Sequence, residues 1–258
     1  MTLSKIRAQA EQTAGCVQCQ RGAPLDFDFT FAFQPIVSMS TKSIFGHEAL
    51  VRGPGGESAY SVLSKVNDEN RYTFDQSCRV NAIKIAAQLG IKEFLSINFL
   101  PNAVYRPEAC IQATFAAARE YSFPISRITF EVTEGEEVRD RAHPVNIFHE
   151  YRKFGFKTAI DDFGAGYAGL TLLSEYQPDI VKIDMELVRK IEDSAAKRAI
   201  VKGVIAMCSE LNINVLAEGI ETIAERDCLH ELGIDLMQGY LFCKPALMAI
   251  GIIDPHSW

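Results

Sequence analysis

The 258 residues are 48% apolar and 23% charged, which suits a chain that buries a sizeable core and excludes wholesale disorder. The formal net charge is −7 and no Lys/Arg-rich run occurs, which excludes a duplex nucleic-acid binder relying on counterion release. An acidic chain acting on phosphates must manage like-charge repulsion locally, and metal ions in the site are the usual means.

Residues 1–26 are polar, helix-prone around Ser4 to Gln12 and then interrupted by Gly15, Gly22 and Pro24, so they read as an N-terminal extension. The first fifteen residues lack an apolar signal core, and the apolar tract from Ala246 to Ile253 is too short to span a bilayer. Seven cysteines, an odd number, read as reduced thiols. A cytoplasmic location without membrane contact is therefore expected. Cys16 and Cys19 have the spacing of a metal or redox pair, but no second pair accompanies them, and they read as incidental thiols.

Residues 27–250 read as one barrel and 251–258 as a tail. FAFQPIV (31–37) and SIFGHEALV (43–51) suit two paired strands. A helix follows over Phe74 to Leu89. LSINFL (95–100) opens a regular alternation, with a helix within Pro107 to Tyr121. RITFEVT (127–133) precedes a helix near Pro144 to Phe154, and KTAIDDF (157–163) a short helix from Leu170 to Glu175. After DIVKID (179–184), Ile200, Val204, Met207 and Leu211 recur at helical spacing and predict one buried helical face. NVLAEG (214–219) leads to a helix over Ile223 to Leu232, and LMQGYLF (236–242) is the last predicted strand. Alternating strands and helices imply a mostly parallel sheet. About eight strands suffice to close a barrel, and a doubly wound open sheet is the alternative architecture.

The strand runs end in residues that packing does not call for: Asn98, Glu131, Asp161 with Asp162, Lys182, Glu218 and Gln238. Barrel active sites lie at the C-terminal strand ends, so these residues converge on one mouth. Taken singly, such a glutamate reads as a cap or rim residue, Asp-Asp-Phe-Gly as a turn, and Lys182 as a snorkelling surface side chain. Together, the carboxylates would repel one another unless protonated or neutralised by cations. All-oxygen ligands favour Mg²⁺ or Mn²⁺, and the adjacent Asp161 and Asp162 suit two ions about 3.5–4 Å apart. Lys182, surrounded by anions, should stay cationic and could orient the nucleophile or stabilise phosphoryl charge. Strand alternation puts Glu48, Leu50 and Arg52 on one face and His47 on the other. Glu48 is a further candidate ligand, and Arg52 offers a fork for phosphate or an ordinary surface ion pair.

Glu48-Ala49-Leu50, preceded by Gln34-Pro35-Ile36-Val37 and followed by Arg52, resembles the signature of bacterial EAL domains. So do FEVTE (130–134), DDFG (161–164), VKID (181–184), AEGIE (217–221) and QGYLFCKP (238–245), in family order from Phe31 to Pro245. The resemblance implies an α/β fold, a modified TIM (β/α)8-like barrel with one antiparallel strand. It further implies hydrolysis of cyclic di-GMP to linear pGpG with two Mg²⁺ or Mn²⁺ ions per site, inhibition by Ca²⁺, and a homodimer. One ion would take Glu48, Asn98, Glu131 and Asp161, and the second Asp161, Asp162 and Glu218. Lys182 would assist the attacking water, with Glu48 and Glu218 completing the catalytic set. Gln34, Leu50 and Arg52 would contact the dinucleotide, Glu221 and Gln238 would support a metal's water shell or the substrate, and Glu134 would anchor the loop after Asp162.

Two departures from the family pattern stand out. Ala165-Gly166-Tyr167-Ala168-Gly169-Leu170 replaces a loop that usually carries Thr and two Ser, and Gly53-Pro54-Gly55-Gly56 follows Arg52 where Trp is common. Neither removes a candidate ligand. The competing functions are a receptor that binds cyclic di-GMP without cleaving it, which recovery of intact ligand would reveal, and a docking module whose partner binding survives loss of Glu48.

Overall fold

The computed structural model describes residues 23–133, 142–166 and 169–258. Cys16, Cys19 and Glu134, singled out in the sequence, lie outside the described residues, as do Tyr167 and Ala168.

Two long β-rich runs joined by a short polar turn dictate the opening hairpin. β1 (Thr30–Ser38) and β2 (Ser43–Arg52) pair antiparallel, with Gln34 opposite Glu48 and a register shift between Ile36 and Val37. The remaining strands are β3 (Phe94–Asn98), β4 (Ile128–Thr133), β5 (Lys157–Phe163), β6 (Ile180–Ile183), β7 (Asn214–Ala217), β8 (Leu236–Met237) and β9 (Ala246–Leu247). From β2 to β8 each strand lies parallel to the next, and β1 pairs antiparallel with both β2 and β8. The sheet therefore closes on itself, and the open doubly wound alternative is excluded. β9 adds a short edge against β1.

Around the barrel run α1 (Ala59–Leu63), α2 (Arg71–Gln88), α3 (Pro107–Cys110), α4 (Gln112–Glu120), α5 (Ala142–Phe154), α6 (Gly169–Glu175), α7 (Met185–Val188), α8 (Ala195–Glu210) and α9 (Ile223–Glu231). α9 starts with a capping box: Thr222 accepts from the Glu225 amide while the Glu225 carboxylate accepts from the Thr222 amide. Most of the apolar core lies between strands and helices, where Phe99, Phe130, Phe148, Tyr151 and Phe156 interlock. Inside the barrel sits a smaller layer of Ile36, Ala159, Ile180, Leu216 and Leu236.

Three expectations are corrected. The buried face of α8 is Val201, Val204 and Cys208, whereas Ile200 and Leu211 are exposed. Val204 belongs to both stripes, and a shift of one residue rotates a helix face by about 100°. The predicted helix from Pro107 to Tyr121 is two, α3 and α4, meeting at Ile111. The last predicted strand stops at Met237 because Gly239 packs against the Ile220 backbone, where any Cβ would collide. Hydrogen bonds from the Ile220 amide to the Gln238 carbonyl and from the Leu241 amide to the Ile220 carbonyl fix that bend. Downstream, the C-terminal residues pack back on α9 and the segment after β8: Arg226 donates to the Ser257 carbonyl, and Trp258 packs near Phe242.

Candidate functional site

Alternation along each strand aims the site. Asp161, Lys182, Glu218 and Gln238 each follow by two residues a member of the barrel's inner apolar layer (Ala159, Ile180, Leu216, Leu236), so they point inward one step nearer the mouth. β1 runs the other way, and there Gln34 precedes the inner Ile36 by two. His47, on the opposite face of β2 from Glu48, is buried with neither ring nitrogen hydrogen-bonded among the described residues, and burial holds its pKa below the usual value.

Lys182 is 0% exposed and its Nζ lies at the centre of the cluster. It is 2.7 Å from Glu218 Oε1, 2.8 Å from Glu131 Oε2, 3.0 Å from Asp161 Oδ1 and 3.5 Å from Glu48 Oε2. Burial alone would depress its pKa, but Asp161, Glu131, Glu218 and Glu48 together push it well above the ordinary lysine value. The ammonium stays charged. It also cannot neutralise four carboxylates, and the acids share the deficit unequally. Burial, with Glu48 and Asp161 nearby, pushes Glu131 up to about 7 despite Lys182. Burial and Asp161 drive Glu218 well above the carboxylate range. Burial works against Asp161 too, but Lys182, a hydrogen bond with Glu218 and the Asp162 amide, 2.9 Å from Oδ1, hold it below its usual value. Asp162, half-buried in a left-handed conformation (φ 54°), is raised to about 6 by burial, Asp161 and Asp184.

The polar neighbours complete the rim. Glu48 Oε1 accepts from Asn98 Nδ2 at 2.9 Å and Oε2 from Gln238 Nε2 at 2.9 Å; Gln238 Nε2 also donates to Gln34 Oε1 at 3.1 Å. Gln34 Nε2 in turn donates to the Cys243 carbonyl. The structure thus gathers Glu48, Asn98, Glu131, Asp161, Asp162, Lys182, Glu218, Gln238 and Gln34. Leu50 and Arg52 continue the same face of β2 beyond the cluster, where the Arg52 guanidinium donates to the Val51 carbonyl. Glu221 is not drawn into the cluster; it pairs with Arg189, and its backbone amide donates to Glu225.

Two carboxylate groups have the spacing to hold a metal ion: Glu48, Glu131 and Asp161, and then Asp161, Asp162 and Glu218, with ligand atoms in each group within 4.8 Å of one another. Asp161 belongs to both. Five acids against one ammonium leave a local charge deficit, and their oxygens suit hard divalent cations. The donor set fits such a pair of ions.

Sequence reasoning passed over Asp184 and Arg189. Asp184 adds negative charge near Asp162 while its Oδ1 caps α7 through the Glu186 amide at 2.8 Å. Its place in VKID was visible, but a cap is all that position advertises. Nothing in the sequence signalled the pairing of Arg189 with Glu221, which only the fold brings together.

Comparison with known proteins places this geometry. The chain is 32% identical over 221 residues to the blue light- and temperature-regulated antirepressor BluF of Escherichia coli (strain K12), covering 85% of this chain and 55% of BluF. It is 33% identical over 159 residues to the cyclic di-GMP phosphodiesterase RocR of Pseudomonas aeruginosa, covering 62% of this chain and 40% of RocR. The chain spans about half or less of the length of the curated relatives it matches. Among solved structures, a standalone versatile EAL protein from Vibrio cholerae O395 in its c-di-GMP bound form is similar with a TM-score of 0.88 and 54% identity, over 91% of this chain and 99% of that one. The manganese/cy-diGMP complex of Klebsiella pneumoniae BlrP1 at pH 9.0 is similar with a TM-score of 0.81 and 35% identity, over 97% of this chain and 66% of that one. Residues 20–245 match the family model described as EAL domain, and the chain belongs to the EAL domain family.

Proposed function

We propose that this chain is a divalent-metal-dependent phosphodiesterase that hydrolyses cyclic di-GMP to linear pGpG. The observation that carries the reading is the intact pair of carboxylate groups joined at Asp161, packed against a fully buried ammonium. The relatives named for cyclic di-GMP hydrolysis and the neighbours bound to c-di-GMP support the choice of substrate.

Glu48, Asn98, Glu131 and Asp161 would hold one Mg²⁺ or Mn²⁺, and Asp161, Asp162 and Glu218 the other. Ions bound there would supply an activated water and neutralise charge on the phosphate. The protein's own part begins with Lys182. As a permanent cation against Glu218 and Asp161, it orients the attacking water and offsets charge developing on the phosphoryl oxygens. Glu218, 2.7 Å from the Lys182 ammonium, would bind its ion as the carboxylate, so the proton that burial favours in the metal-free site would leave when the ion binds. Asn98 and Gln238 each donate to one oxygen of the Glu48 carboxylate and so fix its orientation. Gln34, Leu50 and Arg52 contact the dinucleotide, and Arg52 is free to turn its fork toward phosphate by giving up its bond to the Val51 carbonyl. Gln238, bonded to Glu48, and Glu221 would support a metal's water shell or the substrate. Ca²⁺ would compete for the same oxygens, and inhibition by Ca²⁺ is expected. The active form is a homodimer, which sedimentation of the purified chain tests. No helix among the described residues is long and apolar enough to cross a membrane; a cytoplasmic location is part of the proposal.

The test is purified protein with cyclic di-GMP and either Mn²⁺ or Mg²⁺, followed by separation of the products. pGpG is expected, and its absence under every metal condition would end the catalytic reading. The similarity to an antirepressor favours a second reading, in which the chain binds the dinucleotide or a regulator without turnover. Calorimetric binding with cyclic di-GMP recovered intact would establish it.

A further inference from the structure

Behind the mouth lies a second ionic group that plays no part in the chemistry above. Asp75 and Arg79 sit one turn apart on α2, and both are buried; Arg79 is 0% exposed. Arg79 Nη2 is 2.8 Å from Asp75 Oδ2, and Nη1 donates to Tyr151 Oη of α5 at 2.6 Å. Asp75 Oδ1 accepts from the Leu100 amide at 3.0 Å, just past the end of β3. The guanidinium lies 4.8 Å from the Phe130 ring centroid and 5.5 Å from those of Phe99 and Tyr151. Phe99 follows Asn98, Phe130 precedes Glu131, and the Phe99 amide donates to the Glu131 carbonyl at 3.1 Å.

A buried ion pair of this kind is a poor source of stability, because apolar residues of similar volume commonly do as well or better. What it supplies is direction. A planar fork holds α2, α5 and the two strand ends in one arrangement, and the ligands Asn98 and Glu131 project from the far side of the residues it grips. Burial raises the Tyr151 phenol to about 12, so the network keeps its proton and its geometry across the working pH range.

We propose that Asp75, Arg79 and Tyr151 form a positioning triad that sets the spacing of Asn98 and Glu131 in the cation site, an inference that rests on the phosphodiesterase reading above. The residues touch neither substrate nor metal. They act through Phe99, Phe130 and the backbone that joins β3 to β4.

The experiment titrates Mn²⁺ into the full chain and follows the free-ion electron paramagnetic resonance signal, for wild type and for the combined variant Asp75→Leu/Arg79→Met. Removing both charges avoids leaving either buried alone. The expected result is a chain that still unfolds cooperatively in chelator, a Mn²⁺ dissociation constant raised about tenfold or more, and turnover that recovers at high Mn²⁺ with KM for cyclic di-GMP unchanged. A folded variant with wild-type Mn²⁺ affinity overturns the proposal. Should the combined variant fail to fold, Tyr151→Phe decides: it keeps the ring, loses the hydrogen bond, and is expected to bind Mn²⁺ several-fold more weakly at an unaltered KM, with unaltered affinity refuting the proposal. Wild-type protein that neither binds Mn²⁺ nor cleaves cyclic di-GMP removes the phosphodiesterase reading and the triad's role together, whereas wild-type binding alongside an equal variant removes only the triad.

Discussion

Lys182→Met leaves the packing volume nearly unchanged and takes away the one cation that four carboxylates share. Removing one partner of a buried ion pair costs about 3–5 kcal/mol, since the other charges are left without compensation. For a chain of this size, each kcal/mol corresponds to about 2–4 °C, which gives a melting point lowered by roughly 6–20 °C in chelator. The pH dependence carries the argument further. The folded Lys182 pKa lies above its unfolded value, so the lysine is fully charged in both states below the ordinary lysine pKa and its own titration adds no pH dependence between pH 5 and 9. The acids do change. Glu131, at about 7, and Glu218, raised further, take up protons on acidification and relieve their own repulsion. The deficit of the variant relative to wild type should therefore be larger at about pH 8.5 than at about pH 5.5. Mn²⁺ at about a hundred times its dissociation constant adds about 2.7 kcal/mol to a chain that binds it, and should restore much of the loss. Denaturant unfolding at both pH values, with and without Mn²⁺, measures all of this. Equal stability of variant and wild type at the higher pH in chelator would show that the ammonium does not offset the acids, and the electrostatic account of the site would fall with it. Turnover by the variant should be crippled while some substrate binding persists.

Asp161 belongs to both candidate ligand groups, so Asp161→Asn should abolish turnover and Mn²⁺ binding together; Mn²⁺ titration showing one site still filled would contradict the shared position. Metal-free wild type should lose stability as pH rises from about 4.5 to about 7, because the folded state binds the Glu131 proton more tightly than the unfolded one. At 1.36 kcal/mol per unit this amounts to on the order of 3 kcal/mol, read from denaturant midpoints; Asp161, held below its usual value, opposes the trend only under more acid conditions. On α8, Val201→Ala should cost about 2 kcal/mol and Ile200→Ala no more than about 0.5, since Val201 is fully buried and Ile200 is 51% exposed. Equal costs would restore the helical face that the sequence suggested.

What could be read from the chain and what could not divides along a physical line. A barrel strand has a period of two, and a charged residue two places beyond an inner apolar one can only point into the mouth. Asp161 after Ala159 and Lys182 after Ile180 were therefore legible without coordinates. A helix has no such binary choice. On α8 the stripes containing Ile200 and Val201 differ by a single residue and share Val204, so composition could not decide which of them meets the barrel. α2 was harder still, because Asp75, Gln76 and Arg79 are three of its eight buried residues and blur the apolar stripe that periodicity relies on. Charges on a helix read by default as a solvated face. Only the arrival of Tyr151 from α5 and the Leu100 amide from the end of β3 turns Asp75 and Arg79 inward, and those partners lie 25 and 72 residues away. The pairing of Arg189 with Glu221 is hidden for the same reason, being a contact between loops 32 residues apart. Residues that meet the reaction lie on strands, whose alternation announces them. Residues that hold those strands in place lie on helices and loops, where the chemistry of a side chain says little about its direction until the fold supplies the partner.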